Sequence, residues 1–216
     1  MTPSTPPAIL APVDHLVYAT PDLDAGIQRI EALLGVRPLP GGSHPNWGTR
    51  NALVALGPRT YLEVIGPDPD APLSGTASIF GIDRLPGPAL VTWAARIPDL
   101  DARVFSAIRQ GIDPGPVNAG QRQRPDGVIL SWRLTDPFRM DADGLQPFLI
   151  DWGDSPHPAA AAPTGGRLLR LQGEHPDPER VMARLRALDV SMPVTKGPSA
   201  RLRATIRTRR GRVELG

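Results

Sequence analysis

The sequence predicts an α+β fold made of repeated βαβββ units, and three observations carry that reading. The first is a pattern that recurs: a short apolar strand, a Pro-Asp turn and an amphipathic helix. It spans residues 13–34, returns over residues 90–112, and returns again over residues 168–190 around Glu174-His175-Pro176-Asp177-Pro178-Glu179. Self-similarity of this kind marks a fold assembled from like units. The second is that each helix is followed by β-branched runs broken by Gly and Pro, which read as short strands joined by turns. The third is that the 27 Pro and 22 Gly fall mostly between the periodic segments, so they indicate tight connections rather than disorder.

The first unit covers residues 12–67. Residues 13–19 are β-branched and aromatic enough for a strand. Asp22 or Asp24 can cap the helix that follows, because a carboxylate accepts from its free N–H groups and favours its positive end. Ile27, Ile30 and Leu34 fall on one helical stripe, and Gly35 ends the helix. A short strand is expected at residues 36–39, then a glycine-rich loop over residues 40–50. Residues 51–56 and 60–65 read as two strands joined by a Gly57-Pro58 turn.

Residues 68–88 form a connector rich in Pro, Gly and Ser, with a short helix expected from Ala77 to Leu85. The second unit covers residues 89–152, with a helix stripe of Leu100, Val104 and Ile108 and later strands at residues 128–134 and 148–152. Residues 136–146 are an irregular excursion. Residues 153–166, with their run of alanines, read as a linker. The third and shorter unit covers residues 167–215, with Val181, Leu185 and Leu188 on its helix and strands at residues 200–208 and 212–215. Two units can close a cleft together. The third must then pack on their outer face or pair with its copy in a homodimer.

Composition narrows the function classes. The 216 residues are 40% hydrophobic and 21% charged, ordinary for a globular chain. No run approaches the ~20 apolar residues of a membrane helix, so no membrane partner is expected. The N-terminus Met-Thr-Pro-Ser-Thr-Pro-Pro lacks a basic region and an apolar segment, which makes the cytoplasm the expected location. Without cysteine there is no disulfide, thiolate nucleophile or Cys-based zinc site. Arginines gather at Arg201, Arg203, Arg207, Arg209, Arg210 and Arg212. Leu202, Ala204 and Ile206 alternate with them, which suits a strand with one solvated face rather than a nucleic-acid partner. No Walker or Rossmann glycine loop is present, which argues against nucleotide chemistry.

Five stretches together resemble the vicinal oxygen chelate superfamily, and within it the glyoxalase-like group that shares its fold with bleomycin-resistance proteins and extradiol dioxygenases. They are Asp14-His15-Leu16-Val17; Gly42-Ser43-His44-Pro45-Asn46-Trp47-Gly48-Thr49-Arg50-Asn51; Tyr61-Leu62-Glu63-Val64; Arg124-Pro125-Asp126-Gly127 leading to Trp132-Arg133; and Pro147-Phe148-Leu149-Ile150-Asp151-Trp152. The resemblance implies two βαβββ units paired into an open, barrel-like curved sheet with helices outside. It also implies a divalent metal held by the first and last strands of each unit. Carried over, those positions are His15 and Glu63 in the first unit and Thr92 and Asp151 in the second. His15 precedes Pro21 by the same spacing as Thr92 precedes Pro98 and Arg170 precedes Pro176. Thr92 is a poor ligand, so the implied metal set is His15, Glu63 and Asp151. One imidazole and two carboxylates suit Mg, Mn or Zn. In the third unit Arg170 and Glu214 take these places and read as an ion pair, which makes that unit structural.

Two function classes stay open. One is a divalent-metal-dependent lyase or isomerase acting on a small oxygen-rich substrate, with the metal as Lewis acid and Glu63 or Asp151 turning from ligand to base. The other is a metal-free small-molecule binding or resistance protein using the same cleft. In either, His44, Trp47, Thr49, Asn51 and Thr92 are expected to contact the ligand, with Trp132 as cleft wall. Arg124 and Arg133 could clamp a carboxylate or pair with Asp126 or Asp136. His157 reads as exposed linker and His175 as structural.

Overall fold

The computed structural model describes residues 12–71, 79–124 and 127–216. The N-terminal heptapeptide, the start of the expected helix at Ala77 and the Pro125-Asp126 turn lie outside the described residues. Three helices and twelve strands follow in the order β1 Val13–Ala19, α1 Leu23–Leu34, β2 Leu39–His44, β3 Thr49–Gly57, β4 Thr60–Pro67, β5 Ala89–Arg96, α2 Leu100–Arg109, β6 Asn118–Gln123, β7 Ile129–Leu134, β8 Phe148–Asp151, β9 Arg167–His175, α3 Pro178–Ala187, β10 Val194–Lys196, β11 Arg201–Thr208 and β12 Gly211–Leu215. The recurring Pro-Asp turn has one local cause. Asp22, Asp99 and Asp177 each cap the helix that follows by accepting from a backbone N–H in its first turn.

Eight strands form one sheet in the order β2-β3-β4-β1-β5-β8-β7-β6. β1 and β5 are antiparallel at its centre, with His15 opposite Ala94 and Val17 opposite Thr92. Each lies parallel to the last strand of its own unit, β1 to β4 and β5 to β8. The two units are therefore related by a half-turn, and the sheet curls until its edge strands β2 and β6 approach each other, giving the expected barrel-like α+β fold.

The period of two sorts side chains between the faces. Leu16, Tyr18, Val54, Leu62, Val64, Trp93 and Leu149 point outward into one large apolar cluster, which α1 joins through Ile27, Ile30 and Leu34. Val17, Ala19, Ala55, Tyr61, Ile65, Phe148, Ile150 and Trp152 line the concave face.

The second sheet has the order β10-β9-β11-β12, and its topology differs from that of the other two units. β9 pairs with β10 in parallel and with β11 antiparallel, whereas β1 and β5 pair with the last strand of their unit. Leu202, Ala204 and Ile206 enter the same large cluster as the outward face of the first sheet, so the third unit covers that face. Arg170 and Glu214 do not form the expected ion pair. They are exposed on β9 and β12 with Thr205 of β11 between them. Two strand spacings, about 10 Å, separate their backbones.

Three local expectations are corrected. The second strand begins at Leu39 rather than ending there, and Pro40-Gly41-Gly42 belong to it. Pro40 is tolerated because β2 is an edge strand with a bulge between Pro40 and Gly42. On α2 the buried positions are Leu100 and Ala107, and Ile108 is 51% exposed, because i+7 continues the stripe better than i+8. The connector carries a 3-10 segment at Ile79–Arg84 in place of the expected helix, broken by positive φ at Phe80 and Gly81.

Because one cluster spans all three units, unfolding should be a single cooperative transition. Ile206→Ala, at a fully buried position, should cost about 2–5 kcal/mol in urea denaturation, with circular dichroism and tryptophan fluorescence changing together. A separate transition for the third unit would contradict the shared core.

Candidate functional site

The concave face holds a narrow cavity of about 40 Å³ lined by His15, Asn51, Tyr61, Glu63, Arg122 and Phe148 among others. That is room for one small polar group rather than a whole substrate. His44, Trp47, Trp132, Leu134 and Pro137 border both this cavity and an adjoining outer compartment of about 280 Å³ that Phe138 also lines. A larger concavity, about 800 Å³, is lined by Ser131, Arg133, Asp151 and Asp154 together with Trp132 and Trp152. It is lined by neither His15 nor Glu63.

His15 is placed by its neighbour. Asp14 is fully buried, and its Oδ1 lies 2.8 Å from His15 Nδ1. The same carboxylate accepts from Trp152 Nε1 at 3.2 and 3.1 Å and meets His157 Nε2 at 3.1 Å. Arg96 Nη1 stands 3.6 Å away. Burial alone would raise the Asp14 carboxyl, but hydrogen bonds to His15 and His157 and their charges outweigh it and hold it well below the usual carboxylate range. An ionised carboxylate only accepts, so His15 carries its proton on Nδ1. His157 is settled in the same way: its Nδ1 accepts from Ala159 N at 3.2 Å, so its Nε2 donates to Asp14. His157 is therefore not the exposed linker residue that the sequence suggested. It carries the linker back onto β1.

With Nδ1 committed, the free Nε2 of His15 faces Glu63 Oε2 at 3.8 Å, too far for a hydrogen bond. Tyr61 stacks on the imidazole at 4.6 Å between centroids, and Phe148 meets it edge-on at 5.4 Å. Burial, with the charges of Asp14 and Glu63, pushes the Tyr61 phenol well above its usual range and keeps it protonated. Glu63 is oriented by Asn51, whose Nδ2 donates to Oε1 at 2.5 Å. Asn51 in turn lies against Gly41, where a Cβ would collide with its Oδ1. Burial lowers the His44 imidazole below its ordinary range, and its Nδ1 lies 3.1 Å from the Thr49 hydroxyl.

The structure thus brings together His15, Glu63, Asn51, His44, Trp47 and Trp132, with Thr49 behind His44. The other expected residues lie apart. Thr92 faces the interior, but its hydroxyl donates to Gly144 O at 3.1 Å and it does not line the cavity. On β8 the inward residues are Phe148 and Ile150, which leaves Leu149 and Asp151 on the opposite face. Asp151 there accepts from Gly153 N at 3.0 Å. Arg133 makes a two-pronged pair with Asp101 of α2, both bonds 2.8 Å, rather than pairing with Asp136, and Asp126 lies outside the described residues. Arg124 does not line the cavity; it borders a further pocket between Leu39 and Pro158 that Arg122 also lines. Sequence reasoning missed Asp14, Tyr61, His157 and Arg122. The signal for Arg122 was parity. Arg122 pairs with Leu130, and Gly120 with Trp132, so Arg122 shares Trp132's inward face.

The donors present do not fit the divalent metal that the resemblance implied. Among the described residues no group of three His, Asp or Glu side chains is placed to hold a metal ion. His15, Glu63 and His44 line the cavity, but the His44 Nδ1 lies against the Thr49 hydroxyl and the Arg122 guanidinium lines the same small space. A catalytic zinc site takes three protein ligands, and a site for a hard cation gathers oxygens rather than a buried guanidinium. Asp14 also makes a pH prediction. Its folded carboxyl is depressed, so the stabilisation is complete above the ordinary aspartate value of ~3.9 and is lost as pH falls below it. Asp14→Asn should cost about 3–5 kcal/mol at pH 7, and the deficit should shrink towards pH 3, as read from urea midpoints.

Known proteins agree with this architecture. The family model of a glyoxalase-like domain matches residues 13–188. No curated protein matches the chain. A hypothetical protein from Staphylococcus aureus is similar over 88% of this chain and 87% of its own, with a TM-score of 0.65 and 13% identity, a likeness of fold alone. Methylmalonyl-CoA epimerase from Mycobacterium tuberculosis is 23% identical over 73% of this chain and 97% of its own, with a TM-score of 0.46. The Streptomyces coelicolor methylmalonyl-CoA epimerase, as a single-residue variant in complex with 2-nitronate-propionyl-CoA, is 20% identical over 69% of this chain and 99% of its own, with a TM-score of 0.45. Both scores are too low to carry an argument about function. The family match runs through both units of the large sheet and into the third, and the paired βαβββ topology agrees with it: the chain belongs to the glyoxalase-like domain family of the vicinal oxygen chelate fold.

Proposed function

We propose that the protein is an isomerase-type enzyme that moves a proton on the carbon beside a carbonyl of a small, oxygen-rich substrate. The observation that supports this is the placement of His15 Nε2 and Glu63 Oε2 side by side, 3.8 Å apart, on the wall of a buried cavity. Two adjacent bases that border one substrate carbon can take a proton from it and return one to it or to its neighbour. Asp14 keeps the His15 lone pair on the cavity side and stabilises the imidazolium that forms when that nitrogen takes the proton. Asn51 holds Glu63 in place. The stacked Tyr61 and edge-on Phe148 exclude water from the imidazole. Each step uses the chain's own side chains, and none is routed through a metal.

The alternative, a metal-free binding or resistance protein, draws support from the outer compartment. Trp47 and Phe138 meet edge to face there at 6.0 Å, and Trp132 completes an aromatic wall suited to an apolar or aromatic ligand. Binding alone, however, gives no reason for a buried carboxylate to orient a histidine towards a second carboxylate.

Hydrogen–deuterium exchange separates the two readings. In D2O, proton NMR of pyruvate, acetoacetate and dihydroxyacetone should show exchange beside the carbonyl above the uncatalysed rate for at least one of them. His15→Gln or Glu63→Gln should each lower that rate by about 10²–10⁴-fold, and EDTA should leave it unchanged. No exchange with any of the three would favour the binding reading. Loss of exchange in EDTA would return the chemistry to a bound divalent ion.

A further inference from the structure

We infer that Arg122 sets the substrate class of this site, a small carboxylate whose anionic end seats on the Arg122 guanidinium beside the His15–Glu63 pair. The inference rests on the same cavity as the proposed reaction and deepens it by naming what the cavity admits. Arg122 stands near the end of β6 and faces inward with Leu130, its partner on β7. It is only 8% exposed, and its Nη1 is buried without a hydrogen-bond partner among the described residues.

A guanidinium stays charged when buried, and leaving a charged donor without an acceptor in a protein interior is among the most costly arrangements a fold can hold. No hydrogen bond or ion pair among the described residues relieves it. Glu63 is the one carboxylate among the residues lining the cavity, and both of its oxygens have other neighbours: Oε1 takes the Asn51 amide and Oε2 faces His15. No ion pair joins Arg122 to Glu63 among the described residues. The unmet donor therefore has the chemistry of an anion subsite.

Size and shape choose the anion. The inner space of about 40 Å³ takes a group the size of one carboxylate. Arg122 is the only arginine among the described residues that line it, and one edge of a guanidinium matches the two oxygens of a carboxylate. The rest of the molecule would lie in the outer compartment of about 280 Å³, against Trp47, Trp132 and Phe138. A carboxylate on Arg122 sets its neighbouring carbon in the same small space as His15 and Glu63, which is where the proposed proton transfer needs it.

The test compares a carboxylate with its neutral isostere. Propionate and propionamide are titrated into the full chain while the fluorescence of Trp47 and Trp132 is followed. Propionate should bind at least about tenfold more tightly than propionamide. Arg122→Gln should abolish the preference, and Arg122→Lys should keep part of it. A structural role is separated by Arg122→Met: propionate should raise the Tm of the wild type but not of this variant, whose own Tm should be unchanged or higher. Equal binding of the two probes, no binding of propionate, or a preference that survives Arg122→Gln would overturn the inference. A carboxylate preference without any proton exchange would leave the anion subsite standing and remove the catalytic reading. Exchange on dihydroxyacetone with no carboxylate preference would do the reverse.

Discussion

The arrangement turns on one buried carboxylate. Asp14 sits on the central strand with no exposure, and its partners come from separate parts of the chain: His15 from its own strand, Arg96 from the end of β5, Trp152 from just beyond β8, and His157 from the linker. An ionised carboxylate in an interior persists only where hydrogen bonds and charges offset its lost hydration. Here the offset is spread over both units and the linker, so the fold must close before the charge is tolerated. The same interaction fixes the proton of His15 on Nδ1. Closure of the fold and orientation of the imidazole are thus one event.

Pairing two like units around a half-turn would give a symmetric cleft with two equivalent poles. The chain breaks that symmetry by residue choice. The first unit keeps an imidazole and a carboxylate at its inward positions. The second commits the matching Thr92 to the Gly144 carbonyl and turns Phe148 and Ile150 inward. One pole becomes polar and the other apolar, and Arg122 enters the same cavity from the edge strand β6. The third unit takes no part in the cleft. Its reordered sheet covers the outward face that would otherwise expose Leu16, Tyr18 and Trp93.

Much of the fold was legible because helix caps and strand alternation are local. The Asp caps after each proline, the left-handed Gly35 at φ 74° and the inward set of His15 and Glu63 all follow from short-range rules. What escaped the sequence depended on register or on distant partners. Register pairs Val17 with Glu63 and Ala94 with Phe148, so equating Asp151 with Glu63 was out of step by an odd number of residues, which exchanges the faces of a strand. Arg124 was chosen where Arg122 lines the cavity; the two share parity, and what separates them is that the strand ends at Gln123, which its pairing with β7 sets. His157 looked like linker because its partner Asp14 is far away in sequence. The third unit shares the element order of the other two but not their pairing, a difference that periodicity cannot reveal.

The most direct test is the protonation of His15 itself. A long-range proton–nitrogen NMR spectrum at neutral pH, assigned with a His15→Gln variant, reads which ring nitrogen carries the proton. The account requires Nδ1–H with a free Nε2, and a change in that state in Asp14→Asn. A ring with its proton on Nε2 would mean that His15 donates to Glu63 as a structural contact, and the acid–base reading of the cavity would be contradicted.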